Sequence, residues 1–183
     1  MNHTVHTIET APDAAKPVLR DASTAFGFVP NLLGVMAEAP PLLKAYLTLG
    51  GLFDETSLTA TERQVVLLTV SFTNGCEYCV AAHTVISNMQ KIPDEIAQAI
   101  RMGAPLADHK LEALRRFTTL VVTSRGNPSS IDMKSFLETG YTRAQILEVL
   151  LGVGMKILSN YTNHIAETPL DQAFMSAKWS KAD

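Results

Sequence analysis

With 183 residues, of which 46% are hydrophobic and 18% charged, the chain can bury a substantial core, and this excludes an intrinsically disordered protein. The net charge is −3 and no basic cluster is longer than Arg115-Arg116, so we expect neither nucleic acid nor an anionic membrane surface as a partner. This length predicts a single domain over residues 1–183.

Apolar residues recur with a helical period along the N-terminal segment, residues 1–58. A first helix is predicted over residues 13–26. The next stretch, FGFVPNLLGVMAEAPP (26–41), predicts a turn, a short helix from Asn31 and a stop at the Pro-Pro pair. Another helix is predicted over residues 41–53.

The core of the predicted domain, residues 59–165, begins with a capping box. The Thr59 side chain can accept a hydrogen bond from the backbone of Glu62, whose side chain can reach back to the backbone of Thr59. The resulting helix ends at the Asn-Gly pair of residues 74–75, and a second helix is predicted over residues 76–90.

The second half of the chain is predicted to be helical as well. Further helices are predicted over residues 93–103, 107–124 and 131–139. Thr142 and Gln145 repeat the capping-box spacing and begin a long helix that extends toward Glu167, which leaves residues 166–183 as a C-terminal tail. Because no segment has a convincing β-hairpin pattern, the predicted fold class is all-α.

Targeting features are not apparent in the sequence. Residues 1–16 lack a basic region followed by an apolar one, so we expect no signal peptide. The most apolar run, residues 146–158, carries Glu148 and Lys156 and is too short to span a bilayer. We therefore expect a cytoplasmic protein, in which a C-x-x-C motif indicates redox activity or metal binding.

Both cysteines lie in one motif, NGCEYCVAAHT (74–84), which also contains a histidine. On a helix, Cys76, Cys79 and His83 share one face. A helix N-terminus stabilises a thiolate, and His83 is placed to accept or return a proton. These are the parts of a peroxidatic cycle, in which a thiolate becomes a sulfenic acid, the second thiol closes a disulfide and an external dithiol reduces it.

Two other interpretations of this motif remain open. Buried cysteines and histidines often do no more than pack inside a helix. Zinc is the second alternative, but Cys76, Cys79 and His83 supply only three ligands, and a structural site needs a fourth. His164 could provide the fourth ligand only if the last long helix packs beside the motif.

The sequence resembles the AhpD-like alkylhydroperoxidases of the carboxymuconolactone decarboxylase superfamily. The segment ERQVVLLTVSFTNGCEYCVAAHT (62–84) is similar to the core signature of that family. FGFVPNLL (26–33) and NYTNHIAETPLD (160–171) resemble the two ends of its peroxidase-related branch. The resemblance therefore extends from the N-terminal segment to the C-terminal tail.

The resemblance implies an all-helical bundle that assembles into a homotrimer or homohexamer. The mean hydropathy of +0.11 suits such an assembly, because it is high for a monomer. Gly152 and Gly154 permit a close helix approach, which could form a subunit contact.

The resemblance also implies a thiol peroxidase that needs no cofactor, acts on a hydroperoxide and is reduced by a lipoylated or thioredoxin-like protein. By motif position, Cys79 is the attacking thiol, Cys76 the resolving thiol, and His83 part of a proton relay. Helix-start electrostatics alone would instead make Cys76 the more acidic thiol. We favour Cys79, because His83 lies one turn away from it.

Two positions depart from AhpD itself, which has Glu where this chain has Gln64 and His where this chain has Tyr78. A glutamine cannot exchange a proton and can only hold the imidazole or a water by hydrogen bonds. Gln64 is still included among the predicted catalytic residues. Tyr78 is expected to pack rather than to react.

The predicted function is therefore a thiol-dependent alkylhydroperoxidase. One alternative is the decarboxylase chemistry of the superfamily on a muconolactone-like acid, which needs no dithiol. The other is a non-catalytic oligomer that responds to oxidation or holds zinc through Cys76, Cys79 and His83.

Overall fold

The computed structural model describes residues 3–181, and every regular element within them is helical. In chain order the elements are α1 (Lys16–Phe26), α2 (Asn31–Met36), α3 (Pro40–Asp54), α4 (Ala60–Thr73), α5 (Glu77–Met89), α6 (Asp94–Arg101), α7 (His109–Thr123), α8 (Ser130–Glu138), α9 (Arg143–Ala166) and a 3₁₀ helix (Gln172–Ala177). The predicted all-α class is confirmed. Among the described residues, no helix has the length and apolar character needed to cross a membrane.

Prolines set the starts of two N-terminal helices. α1 begins at Lys16 rather than at residue 13, and Pro17 lies in its first turn. α2 ends at Met36, before the predicted stop at Pro40-Pro41, and these prolines occupy the first positions of α3, one residue earlier than the predicted start at residue 41. The first turn of a helix has no partner for its backbone N–H groups, so a proline there removes no hydrogen bond.

Capping boxes fix the starts of α4 and α9, two helices that pack against the cysteine-containing α5. At the start of α4, the Glu62 N–H donates to Thr59 Oγ1 at 3.2 Å, and the Thr59 N–H donates to Glu62 Oε2 at 2.8 Å. The same reciprocal pair joins Thr142 and Gln145 at the start of α9. Both predicted boxes are confirmed. A third box, which the sequence analysis did not include, begins α8 at Ser129.

The buried apolar side chains form two clusters. The larger one lies between α3, α4, α7 and α9 and contains Val66, Leu114, Phe117 and Val149. The second joins α1, α2 and α3 to α5 and the 3₁₀ helix, and both cysteines belong to it. α5 therefore lies against the second cluster on one side and contacts α4 and α9 on the other.

Gly152 allows α9 to approach α3 and α4 closely. A Cβ atom at this position would lie 2.7 Å from Phe53 Cζ and 2.9 Å from Val66 Cγ1, both buried. The close approach predicted at Gly152 thus lies inside the chain and is not a subunit contact. At Gly154, two residues further on, an added Cβ would meet no atom within 4 Å.

These two glycines provide a matched pair for a stability test. Gly152→Ala should lower the free energy of unfolding by about 1–2 kcal/mol, because overpacking against Phe53 outweighs the gain in helix propensity. Gly154→Ala, in open space on the same helix, should raise it by up to about 1 kcal/mol. Urea unfolding of both variants measures the difference, and equal effects would contradict the close packing described for α9.

Candidate active site

The C-x-x-C motif lies at the start of α5. Gly75 turns the chain with φ of 68°, a conformation that glycine adopts without strain. Cys76 is the N-cap residue of α5 rather than its first helical residue, and its N–H donates to the Ser71 carbonyl at 2.9 Å. Cys79 lies in the first turn. Both cysteines are free thiols, and both are buried.

His83 and Gln64 are brought together in the interior, between α5 and α4. His83 Nδ1 lies 3.0 Å from Gln64 Oε1, and His83 Nε2 lies 3.0 Å from Lys156 Nζ. An ammonium group can only donate, so Nε2 must accept from Lys156, and Nδ1 then carries the hydrogen that is donated to Gln64. Burial, together with the charge of Lys156, lowers the pKa of His83 well below its usual value. His83 is therefore a neutral imidazole with both nitrogens engaged.

Lys156, on α9, is the main residue of this site that the sequence analysis did not predict. Its side chain is 0% exposed, although lysines are seldom fully buried without a partner. The sequence did contain an indication of this. Lys156 follows Val149 and Val153 at helical spacing, so it lies on the buried stripe of the most apolar run in the chain.

The two thiols differ in acidity. Burial opposes ionisation of Cys79, but the Cys76 S–H donated to it and the Lys156 ammonium lower the pKa of Cys79 well below its usual value. The pKa of Cys76 is raised, first because its hydrogen is donated to Cys79 and then by burial. Burial opposes the charge of Lys156, but the Cys79 thiolate raises its pKa. The pKa of Cys79 is lowered and that of Lys156 is raised, so each group favours the charged form of the other.

The directions of these two pKa shifts are opposite to what helix-start electrostatics alone would favour, namely Cys76 as the more acidic thiol. Cys76 lies nearer the helix end, but it is the hydrogen-bond donor of the pair, and a thiol that donates its hydrogen is held in the protonated form.

Asparagines of α9 complete the surroundings of the thiols. Asn163 Nδ2 lies 3.3 Å from Cys79 Sγ and 3.5 Å from Cys76 Sγ, and it donates to both. One turn earlier, Asn160 Oδ1 accepts from Asn74 Nδ2 at 3.0 Å. These contacts connect α9 to the turn that precedes α5.

The geometry does not favour the zinc alternative. His164 is exposed and does not join the motif. Within residues 3–181, no group of three or more His, Cys, Asp or Glu side chains is arranged to hold a metal. Both nitrogens of His83 already have partners, and the Lys156 cation beside the thiols would repel a second cation.

The hydroxyl of Tyr78, which lies between the two cysteines in the sequence, forms hydrogen bonds with other segments of the chain. Its hydroxyl donates to the Asp171 carboxylate and accepts from the Leu32 N–H at 3.3 Å. Asp171 also accepts from the Asn31 N–H at 3.0 Å, at the start of α2. Tyr78 therefore ties the segment before the 3₁₀ helix and α2 to α5, as a packing role predicts.

A cavity of about 460 Å³ reaches the thiolate. Its polar end contains Cys79, His83 and Lys156, whereas Cys76 is not among the lining residues. The rest of the wall is mainly apolar and aromatic, and includes Phe28, Leu33, Leu47, Ile86 and Phe174. Phe26 and Met89, both exposed, lie at its rim. A ligand in this cavity would meet Cys79 before Cys76.

Known proteins share both the motif region and the fold. Residues 40–120 match the model of the carboxymuconolactone decarboxylase family. A peroxidase-related protein of Ralstonia eutropha JMP134, described as an alkylhydroperoxidase AhpD core, is 20% identical over 98% of this chain and 97% of that chain, with a TM-score of 0.83. A peroxidase-related protein of Silicibacter sp. TM1040 is 19% identical over 89% and 87% of the two chains, with a TM-score of 0.77.

A third protein with a similar structure is described as having a different activity, that of a debrominase. It is a variant of the debrominase Bmp8 in complex with 2,3,4-tribromopyrrole, and it is 18% identical over 97% of this chain and 96% of that chain, with a TM-score of 0.79. No curated protein is similar enough in sequence to count as a match. At these identities the structural likeness shows the fold, and the family match covers the C-x-x-C motif. Residues 40–120 thus match the carboxymuconolactone decarboxylase family, and the overall fold is similar to that of the AhpD-like peroxidase-related proteins.

Proposed function

We propose that the protein reduces organic hydroperoxides with its Cys76–Cys79 dithiol. The observation that carries this proposal is the position of Cys79 beside Lys156 at the polar end of an apolar cavity, where the pKa of Cys79 is lowered well below its usual value. The thiolate attacks the terminal peroxide oxygen, the O–O bond breaks, and a Cys79 sulfenic acid and an alkoxide form. The alkoxide takes a proton and leaves as an alcohol.

Cys76 completes the oxidation as the resolving thiol. Its sulfur attacks the sulfenic sulfur of Cys79, a disulfide forms, and the hydroxyl leaves with the Cys76 proton as water. The assignment of roles is supported by the cavity, which contacts Cys79 and not Cys76, and by the lowered pKa of Cys79. His83 and Gln64 hold the Lys156 ammonium in place by a chain of two hydrogen bonds.

The disulfide then needs a dithiol reductant, and a lipoylated partner suits the site best. Both sulfurs are buried, so a protein thiol on a folded surface cannot reach them directly. A dithiol at the end of a long apolar arm can enter the cavity of about 460 Å³. A thioredoxin-like protein could act only after α5 or the 3₁₀ helix moves. The cytoplasm, which keeps such reductants reduced, is the compartment we propose.

Turnover with purified protein, cumene hydroperoxide and dihydrolipoamide tests this function. We expect catalytic loss of peroxide that needs both protein and dithiol, with alcohol as the product. Loss of peroxide at the rate of dihydrolipoamide alone would overturn the proposal.

Reductive debromination is a second candidate, favoured by the aromatic wall of the cavity. Phe28, Tyr78 and Phe174 line the space next to Cys79, and the debrominase neighbour was crystallised with a brominated pyrrole. The dithiol would supply two electrons, so that aryl bromide becomes arene and bromide while the disulfide forms. Bromide release from 2,3,4-tribromopyrrole with dihydrolipoamide tests it, and an absence of bromide dismisses it. The decarboxylase alternative gains no support from this paired dithiol.

We also propose that the chain forms a homotrimer or homohexamer. One face of α9 carries Leu147, Leu150, Tyr161 and Ile165, which are 66%, 50%, 52% and 72% exposed. Such an apolar face on a helix indicates a contact surface. Light scattering should give a trimeric or hexameric mass, and Leu150→Glu should release smaller species with unchanged helical circular dichroism. A wild-type monomer would contradict the assembly.

A further inference from the structure

We propose that Lys156 is the proton donor of this site, and that its ammonium and the Cys79 thiolate are neutralised together when the dithiol is oxidised. This inference deepens the proposed function and rests on the same dithiol. It differs from the sequence-based relay, in which His83 moves the proton.

The hydrogen-bond pattern leaves His83 without a proton to give. Its single N–H, at Nδ1, is donated to Gln64, and its Nε2 accepts from Lys156. Gln64 itself cannot exchange a proton. Lys156 Nζ is the charged donor at the polar end of the cavity, beside the sulfur that attacks.

The charge change on loss of a proton favours Lys156 over Tyr46, the other candidate proton donor. Tyr46, on α3, faces Lys156 and also lines the cavity. Burial raises the pKa of Tyr46, because loss of its proton would create an anion inside the protein. Loss of a proton from Lys156 has the opposite effect, since it removes a buried charge at the moment when its counter-ion disappears.

The balance of atoms and charges supports the same assignment. Before the reaction the site holds the Cys79 thiolate, the Cys76 thiol and the Lys156 ammonium, with no net charge. A Lys156 proton goes to the alkoxide, and the Cys76 proton leaves with the hydroxyl as water. The products are an alcohol, water, a disulfide and a neutral Lys156 amine, so no net charge remains.

The alternative would leave an unpaired charge in the core. If Lys156 stayed an ammonium after disulfide formation, it would be a fully buried cation. The titratable groups that face it are Cys76, Cys79 and His83 from α5 and Tyr46 from α3. In the oxidised site none of these is an anion, and an unpaired buried charge is strongly destabilising.

Two measurements on the reduced protein test the inference without a hydroperoxide. The first is the pH dependence of iodoacetamide alkylation at Cys79, located by peptide mass spectrometry. At about pH 6, below the ordinary pKa range of thiols, we expect fast alkylation in the wild type. In Lys156→Met the alkylation rate should be lower by about tenfold or more. Lys134→Met, the same change at a lysine whose side chain is 78% exposed, should behave as the wild type. Equal rates in all three proteins would overturn the inference.

The second measurement uses only the wild type, so it does not depend on whether Lys156→Met folds. Diamide oxidises a dithiol and takes up two electrons and two protons for each disulfide. In weakly buffered solution with a pH indicator, we expect no net proton uptake, because Lys156 supplies the proton that the Cys79 thiolate lacks. Uptake of one proton per disulfide would show that Lys156 keeps its charge and would overturn the inference.

Failure of the proposed function has a different signature. Diamide oxidation would then show no net proton uptake and alkylation would depend on Lys156, while cumene hydroperoxide would not be consumed. In that case Lys156 is still the proton donor of the dithiol, and the peroxidase assignment fails.

Discussion

Cys79→Ser should reduce hydroperoxide consumption to the level of the protein-free control. Cys79 is the thiol that lines the cavity, and its pKa is the one that is lowered. A serine hydroxyl is far less acidic than a thiol, so the variant keeps the shape of the site and lacks the nucleophile. Peroxide loss in the presence of dihydrolipoamide, followed by a colorimetric assay, measures the effect.

Cys76→Ser is the matched control, because it removes the second thiol of the same pair. Without dihydrolipoamide, this variant should consume about one equivalent of hydroperoxide and then stop, since Cys79 can be oxidised but no thiol remains to resolve it. Dimedone should label the resulting sulfenic acid at Cys79. If Cys79→Ser consumed one equivalent and Cys76→Ser none, the roles of the two cysteines would be reversed.

Ile86→Trp should lower kcat/KM for cumene hydroperoxide by about 10–100-fold, while the reaction with hydrogen peroxide changes by no more than about twofold. Ile86 lines the cavity one turn beyond His83 and is half-buried. An indole at this position fills space that a bulky apolar substrate needs, and it leaves the thiolate and the path of a small peroxide in place. Steady-state kinetics with both peroxides measures the ratio.

Ile86→Leu, which conserves volume, serves as the control and should leave both reactions near the wild-type rates. An equal loss with both peroxides in Ile86→Trp would show that the substitution disturbs the thiolate rather than the cavity. No loss with either would show that organic hydroperoxides do not reach Cys79 through this cavity.

The helical fold could be predicted because its determinants are local. The capping boxes at Thr59 and Thr142 are complete within four residues, and the structure shows both. The start of α3 was predicted to within one residue, because a proline pair is excluded from a helix interior and tolerated in a first turn. The consequence of Gly152, by contrast, could not be predicted, since its neighbours Phe53 and Val66 come from other helices.

The part of the candidate site that could be predicted from spacing lies close in sequence, and the family resemblance added Gln64, which the structure places 3.0 Å from His83. Spacing alone places Cys76, Cys79 and His83 together at the start of one helix. Lys156 contacts His83 across 73 residues, and that contact arises from the packing of α9 against α5. The acidity of the two thiols depends on this lysine and on the hydrogen bond between them, and neither can be read from the position of a cysteine at a helix end.

The most direct test of the central claim is intact mass after alkylation of reduced protein that has met one equivalent of cumene hydroperoxide for a few seconds. We expect both thiols to resist the alkylating agent and the protein mass to be lower by two hydrogens, as a Cys76–Cys79 disulfide requires. A mass equal to that of the reduced protein plus two alkyl adducts would contradict the assignment of this dithiol as a hydroperoxide reductase.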